Sequence, residues 1–411
     1  MSEYRCQNAS AEIFNIKDSL IIHCSVLSVW ITILGIPLGE KLAGRFALSN
    51  VFQIIGFFIL LPEMLRNMTK KFMIWSFFLL SSMLLSMFVL SMFYNDSSLI
   101  KLPHVGFFTL MLTYVGYFVN RLECNINLRE NIEYAYQLTI IPALIYISYI
   151  GIGNAMNGIA ISNFGFDDKS HAVFFCAFYA FLALKYMKGD YKLIISIIFM
   201  IYSLMTASRL VVPFIPFYLF ILFKYSFKIK NLKSAIYNLL LIVIIVLVMY
   251  YASSFFYVYN RLTTDSATGS TKDHLDLISA SLQMKFDNIF NLILGTGPGN
   301  FGDLFRYTEI KSYMQAVHSG SRGAIPAHSS HIQIFLEFSI IMFIIYIWFL
   351  YRILVGNWKN RNFIELCFYI PFMSAVIFYS THNEVLYWML LLYLYTESMP
   401  DNRITQTVLP R

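Results

Sequence analysis

The chain has 411 residues, of which 58% are hydrophobic, 18% are aromatic and 13% are charged, and its net charge at pH 7 is +7. This composition, with a mean hydropathy of +0.62, lies far outside the usage of soluble domains and predicts a polytopic membrane protein. The positive charge comes largely from lysines between apolar segments, so it does not indicate a nucleic-acid partner.

Apolar runs of roughly 20 residues, the length that crosses a bilayer, recur about twelve times along the chain. Unsatisfied backbone groups are too costly in hydrocarbon for anything but helices or closed barrels, and these runs are too long and too apolar for barrel strands. The sequence therefore predicts an all-α bundle of about twelve transmembrane helices. Their predicted centres lie near residues 28, 55, 83, 112, 143, 179, 199, 217, 246, 342, 372 and 390.

Lysines and arginines concentrate in alternate connections, as is typical of cytoplasmic loops. With the N-terminus inside, both termini are predicted to be cytoplasmic. The predicted organisation is nine spans in residues 1–257, a large periplasmic loop at 258–329, three further spans in 330–396 and a cytoplasmic tail at 397–411. The inner segments then hold Arg66, Lys70, Lys71, Lys185, Lys188, Lys192, Lys224, Lys228, Lys230, Lys233, Arg352, Lys359 and Arg361.

The five cysteines are scattered, and their spacing resembles neither a disulfide framework nor a metal site. No carboxylate-rich cluster accompanies the candidate residues described below. We therefore predict neither a metal nor a cofactor.

The long loop contains the stretch "GSTKDHLDLISASLQMKF", which predicts a helix lying against the bundle. It begins with a capping pattern at Ser270. One helical face is predicted to be apolar. This face consists of Leu275, Ile278, Leu282 and Phe286.

The next stretch, "LGTGPGNFGD", includes Gly295, Gly297 and Gly299. So many glycines with a proline forbid a continued helix and allow the backbone to approach a ligand closely. A simple turn is the alternative. A dinucleotide fold is excluded, because no βαβ unit surrounds the glycines.

Two histidines, His328 and His331, lie where the loop meets the next apolar run. A capping box at Ser330 predicts that the span begins there. Unpaired amides at a helix N-terminus favour anions, and a histidine can act as a general base. Glu337 lies further along the same predicted span, on the side of Gln333, and an ionisable residue within a span is a candidate functional residue.

Arg209 lies between two apolar runs, at the predicted outer face, where few positive residues are expected. A snorkelling anchor is the ordinary explanation. Alternatively, the guanidinium binds a phosphate in bidentate fashion. Arg261, Lys272 and Arg322 are predicted on the same side, which suggests a phosphorylated ligand.

These features resemble the superfamily of O-antigen polymerases and O-antigen ligases, glycosyltransferases of the bacterial inner membrane. Three landmarks match in order within residues 200–345: Ser208–Arg209 after a span, the "LGTGPGNF" turn, and a histidine at the loop-to-span junction. The family junction resembles His-Asn followed, after several apolar residues, by Glu and a small residue. By spacing from Glu337, His328 is the better match and His331 the second. The departures from the family pattern are Ser329 for Asn, Ser339 for Gly, and Lys272 for an Arg that often follows Gly-Ser.

The resemblance implies transfer of oligosaccharide repeat units carried on undecaprenyl diphosphate, at the periplasmic face. Arg209, with Arg261 or Arg322, would stabilise the diphosphate, and His328 would take the acceptor proton, with His331 or Glu337 orienting it. The implied partners are the lipid-linked oligosaccharide, the lipid bilayer and a regulator of polysaccharide chain length.

Two alternatives to an O-antigen polymerase stay open. A ligase, which transfers the polysaccharide to lipid A core, shares the same landmarks. A flippase or transporter is also a bundle of about twelve spans, but it should show repeated halves and broken helices in corresponding positions.

Overall fold

In the computed structural model the described part of the chain is helical. A single antiparallel pair of two-residue strands lies between the first two helices, with Lys41 opposite Ala47 and Leu42 opposite Phe46. The structure describes residues 16–35, 41–42, 46–67, 69–94, 102–122, 126–157, 163–166, 169–206, 208–226, 265–300, 329–377, 379 and 385–399.

Fourteen α-helices and one 3₁₀ turn make up this part of the chain. The first half contains α1 (Ile16–Leu34), β1 (Lys41–Leu42), β2 (Phe46–Ala47), α2 (Leu48–Asn67), α3 (Lys70–Tyr94), α4 (Leu102–Leu122), α5 (Ile126–Met156), α6 (Lys169–Tyr186), α7 (Tyr191–Met205), the 3₁₀ turn (Arg209–Phe214) and α8 (Ile215–Ser226). The second half contains α9 (Asp265–Phe286), α10 (Ile289–Leu294), α11 (Ser330–Glu337), α12 (Ile340–Lys359), α13 (Phe363–Ile377) and α14 (Val385–Ser398).

The predicted helical bundle is confirmed. Every predicted span centre falls within one of these helices, except residue 246, which lies outside the described residues. The agreement follows from the long apolar runs, because burying them while satisfying every backbone amide favours helix.

The helix α14 is the centre of the bundle. All of its residues are buried, and it packs against α1, α2, α4, α5, α12 and α13. A helix that is apolar on all sides is stable only when neighbours surround it, as they do here.

Two described helices are long and apolar enough to cross a membrane, Leu128–Asn154 and Ile340–Lys359. Five shorter apolar helices accompany them, and large apolar side chains such as Phe77 and Trp358 are exposed on the outside of the bundle. These features favour association with a membrane. The number of spans stays a prediction.

An ion cluster ties the C-terminal end of α14 to three other helices. Lys185 Nζ on α6 lies 2.6 Å from Glu365 of α13 and 2.5 Å from Glu397 of α14. Arg129 of α5 lies 3.4 Å from Glu397 and 2.8 Å from Glu133. Lys185, one of the cations that the sequence predicts on the cytoplasmic side, lies in the last turn of α6 and is paired with these carboxylates.

Replacing Lys185 by methionine should destabilise the protein by about 3 kcal/mol, because it removes a counter-charge of the buried carboxylates of Glu365 and Glu397. We expect Lys185→Met to melt several degrees below the wild type in detergent. The exposed Lys188 supplies the matched control, and Lys188→Met should melt like the wild type. Equal melting temperatures for the two variants would contradict a stabilising role of the cluster.

Candidate active site at an interrupted helix

The predicted span after the long loop is not one continuous helix. The helix α11 ends at Glu337, Phe338 and Ser339 are extended, and α12 begins at Ile340. Ser339 caps α12, since its hydroxyl accepts a hydrogen bond from the Met342 amide at 3.3 Å.

The start of α11 also differs slightly from the prediction. Its N-cap is Ser329, whose hydroxyl accepts from the Ile332 amide at 3.4 Å, so the helix begins at Ser330 without Ser330 being the cap. The side chain of Gln333 does not close a capping box. It donates to Glu337 Oε1 at 2.8 Å instead, one turn further along the helix.

The glycine-rich turn closes the end of α11. The amide of Thr296 donates to the Leu336 carbonyl at 3.0 Å, and the amide of Gly297 donates to the Glu337 carbonyl at 2.9 Å. A helix end leaves such carbonyls without partners in its own ladder, so the turn supplies the missing donors. The predicted turn is confirmed. Within the described residues, its backbone lies close to the protein's own backbone at the end of α11.

This contact requires glycine. Gly295, Gly297 and Gly299 have φ values of +82°, +82° and +77°. A Cβ on Gly295 would lie 2.5 Å from the carbonyl oxygens of Glu337 and Phe338, well inside van der Waals contact. The turn can therefore lie directly against the interruption.

Lys285 provides the third donor, and the sequence did not reveal it. Its ammonium donates to the Phe338 carbonyl at 2.9 Å and lies 5.1 Å from the centre of the Phe335 ring. The side chain is fully buried, and burial lowers the pKa of Lys285 to about 8. No carboxylate within the described ranges lies within ion-pair distance of it.

The helix that carries Lys285 packs against α10 and α11, as predicted, but with a different face. It begins at Asp265 rather than at the Ser270 cap, and the predicted contact residues Leu275 and Phe286 are 58% and 62% exposed. Lys272 lies in the first half of this helix. The buried face consists of Leu277, Ala280, Ser281, Met284 and Lys285.

Glu337 is the last residue of α11 and is 1% exposed. Its contact with Gln333 agrees with the prediction that the two side chains share a face. The same residue contributes its backbone carbonyl to the contact with Gly297. Glu337 therefore belongs to the interruption itself.

His331 lies in the first turn of α11 and is linked to α12. Its Nδ1 is 2.7 Å from the hydroxyl of Tyr346, and that hydroxyl is 2.5 Å from the hydroxyl of Tyr387 on α14. The backbone of Met373 on α13 lies beside the ring. The imidazole thus links α11 to α12 and, through Tyr346, to α14.

Arg209 begins the 3₁₀ turn between α7 and α8, and this turn packs against α6 and α13. The Phe174 ring on α6 contacts both Phe214 of the turn, at 5.9 Å, and Tyr379, at 6.3 Å. The Tyr379 carbonyl accepts from the amide and hydroxyl of Ser330, at 3.1 and 2.9 Å. The turn that carries Arg209 and the start of α11 therefore lie at the same end of the bundle.

A further histidine, His171, lies at this end. Its Nε2 is 3.4 Å from the hydroxyl of Tyr379, and the two rings are 5.7 Å apart. His171 could not be singled out from the sequence, because it lies alone in the first turn of the apolar helix α6.

Three predicted site residues, His328, Arg261 and Arg322, lie outside the described residues. Within the described part, no group of three or more His, Cys, Asp or Glu side chains is arranged to hold a metal ion.

An apolar cavity of about 340 Å³ lies between α3, α4, α12 and α14 and reaches the interruption. Its position matters because Tyr346, the partner of His331, forms part of its wall. The lining is Phe72, Trp75, Leu112, Val115, Gly116, Val119, Asn120, Ile334, Phe338, Met342, Ile345, Tyr346, Trp348, Phe349 and Trp388.

No model of a known protein family matches the chain, and no characterised protein matches its sequence significantly.

Replacing Gly295 by alanine should destabilise the protein strongly. The backbone conformation alone costs a residue with a Cβ about 1–3 kcal/mol, and the clash with the carbonyls of Glu337 and Phe338 adds to it. Gly153→Ala in α5 is the control, because a Cβ there meets nothing within 4 Å and alanine favours helix. Only Gly295→Ala should lower the melting temperature in detergent. An unchanged melting temperature for Gly295→Ala would argue against the contact.

The lowered pKa of Lys285 predicts a pH-dependent stability. Between about pH 8 and about pH 10 the unfolded chain binds a proton at this lysine that the folded protein does not bind, so folding is favoured as the pH rises. The neutral amine can still donate to the Phe338 carbonyl.

Wild type and Lys285→Met should therefore be melted side by side across this pH range. We expect the stability of the wild type relative to Lys285→Met to increase from about pH 8 to about pH 10 and to be constant below it. Other titrating groups are present in both proteins, so their contributions cancel in the difference in stability. A constant difference throughout would contradict the lowered pKa.

Proposed function

We propose that the chain is an O-antigen polymerase of the bacterial inner membrane, which joins oligosaccharide repeat units carried on undecaprenyl diphosphate. The observation that carries this proposal is the position of Tyr346. Its hydroxyl contacts His331 in the polar site, while its ring lines the apolar cavity. A polar site continuous with an apolar cavity suits a ligand that has a charged head and a hydrocarbon chain.

The cavity supports a lipid-linked substrate. Its volume lies at the lower end of the range of about 300–1,000 Å³ that is typical of ligand sites, and its lining is almost entirely apolar or aromatic. It would hold a short length of a polyprenyl chain next to the interruption, while the diphosphate and sugars lie toward the start of α11.

The proposed reaction needs charge stabilisation and a proton acceptor. The acceptor sugar hydroxyl attacks the anomeric carbon, the bond from this carbon to the diphosphate oxygen breaks, and undecaprenyl diphosphate leaves with the electron pair. Arg209, with Arg261, Arg322 or Lys272, would stabilise the leaving diphosphate. His328 would accept the hydroxyl proton.

The same proposal assigns the topology. The chain would cross the inner membrane about twelve times with both termini in the cytoplasm, and residues 258–329 would face the periplasm. Both Arg209 and the start of α11 would then lie at the periplasmic end, where lipid-linked repeat units are joined. A regulator of polysaccharide chain length is the protein partner expected with this activity.

The interrupted helix also favours a second candidate, a transporter of lipid-linked oligosaccharides. Discontinuous helices are typical of transporter substrate sites. Purified protein in liposomes with a lipid-linked repeat unit distinguishes the two. A polymerase makes longer lipid-linked products and releases undecaprenyl diphosphate, whereas a transporter moves the substrate unchanged.

Replacing Arg209 by alanine should abolish the lipopolysaccharide ladder in the native host. Loss of a guanidinium that stabilises the leaving group should slow transfer by about 100-fold or more. Lipopolysaccharide on a gel should show lipid A core bearing one repeat unit.

The control for this experiment is Arg352→Ala, which removes an arginine that stacks 5.0 Å from the Trp348 ring on α12. It should keep the ladder, and membrane expression of both variants should be confirmed. Loss of every repeat unit from lipid A core would indicate a ligase. A normal ladder with Arg209→Ala would remove Arg209 from the site.

A further inference from the structure

Three side chains from three helices form a continuous hydrogen-bonded chain beside the candidate site. It runs from Tyr387 on α14 through Tyr346 on α12 to Nδ1 of His331 on α11, with distances of 2.5 and 2.7 Å. Tyr387 is 1% exposed, so its hydroxyl is shielded from solvent.

The direction of these hydrogen bonds follows from the need to satisfy buried donors. If Nδ1 of His331 carried the proton, it would donate to Tyr346, and Tyr346 would donate to Tyr387. The hydroxyl proton of Tyr387 would then have no acceptor among the residues that the structure describes, which is costly for a buried group. If Tyr387 donates to Tyr346, and Tyr346 donates to Nδ1, both hydroxyl protons are bonded.

The second direction determines the tautomer of the histidine. A neutral imidazole carries one N–H, so an Nδ1 that accepts leaves the proton on Nε2.

We propose that Tyr346 and Tyr387 are positioning residues that hold His331 as the neutral Nε2–H tautomer. His331 then anchors the first turn of α11 by accepting the hydrogen bond of Tyr346, instead of removing a proton. This inference rests on the proposed function only where it assigns the acceptor proton to His328, three residues earlier in the chain. It separates the two histidines, which the sequence left as alternatives, into an anchor and a base.

The tautomer can be measured without any assay of activity. The full-length protein, with ¹⁵N-labelled histidine, is reconstituted in lipid bilayers and studied by solid-state NMR, and the His331 signals are assigned with the His331→Gln variant. We expect the unprotonated nitrogen to be Nδ1 in the wild type and a mixture of tautomers in Tyr346→Phe.

Tyr369→Phe is the matched control. It also removes a buried tyrosine hydroxyl, which donates to the Leu350 carbonyl at 3.0 Å, but this hydroxyl is not part of the chain to His331. The His331 tautomer should be unchanged in this variant. A proton on Nδ1 in the wild type, or an unchanged spectrum in Tyr346→Phe, would overturn the proposal.

The role of His331 is tested by polymerisation with a lipid-linked repeat unit. Glutamine can accept the Tyr346 hydrogen bond through its amide oxygen, but it cannot act as a general base. His331→Gln should retain activity within about tenfold of the wild type, whereas loss of a general base costs about 10²–10⁴-fold. A loss of that size in His331→Gln would overturn the anchoring role. If the wild type does not polymerise the substrate, the proposed function fails, while the NMR result still decides the tautomer.

Discussion

Buried backbone carbonyls at the end of α11 impose the constraint on which the candidate site depends. Leu336, Glu337 and Phe338 end a helix inside the bundle, and carbonyls in that position need donors from elsewhere in the chain. The amides of the glycine-rich turn and the ammonium of Lys285 supply them. The segment from α9 to the turn is therefore a structural part of the site, although the sequence suggested a loop outside the bundle.

The interruption explains where sequence reasoning succeeded and where it did not. The helices were predictable because each long apolar run can satisfy its own backbone only as a helix. The turn was predictable because Gly295, Gly297 and Gly299 cannot continue one. The break at Phe338 was not predictable, since the donors to the carbonyls around it come from residues 40 to 53 positions earlier, and the local pattern is one apolar run. The buried face of α9 was misassigned for the same reason, because a lysine facing the core has meaning only once the Phe338 carbonyl is known to lie there.

The central helix α14 links the two polar regions of the bundle. Glu397 near its C-terminal end forms ion pairs with Lys185 and Arg129. Tyr387 near its other end is hydrogen-bonded to Tyr346. These two residues are separated by about 15 Å along a rigid helix. With these contacts, the helix can be buried completely and still fix the positions of its neighbours at both levels.

The contacts at the interruption also limit which groups can take part in chemistry. Nδ1 of His331 is bonded to Tyr346, the ammonium of Lys285 donates to a backbone carbonyl, and Glu337 accepts from Gln333. These residues therefore have a structural role in the site and are not the groups that react with a substrate. Stabilisation of a diphosphate would then fall to cations at the same end of the bundle, with Arg209 in the 3₁₀ turn as the described candidate. Because the carbonyls of Leu336, Glu337 and Phe338 have donors, the bundle can place an apolar cavity beside a polar site at this break in the helix, an arrangement that would suit the proposed lipid-linked sugar donor.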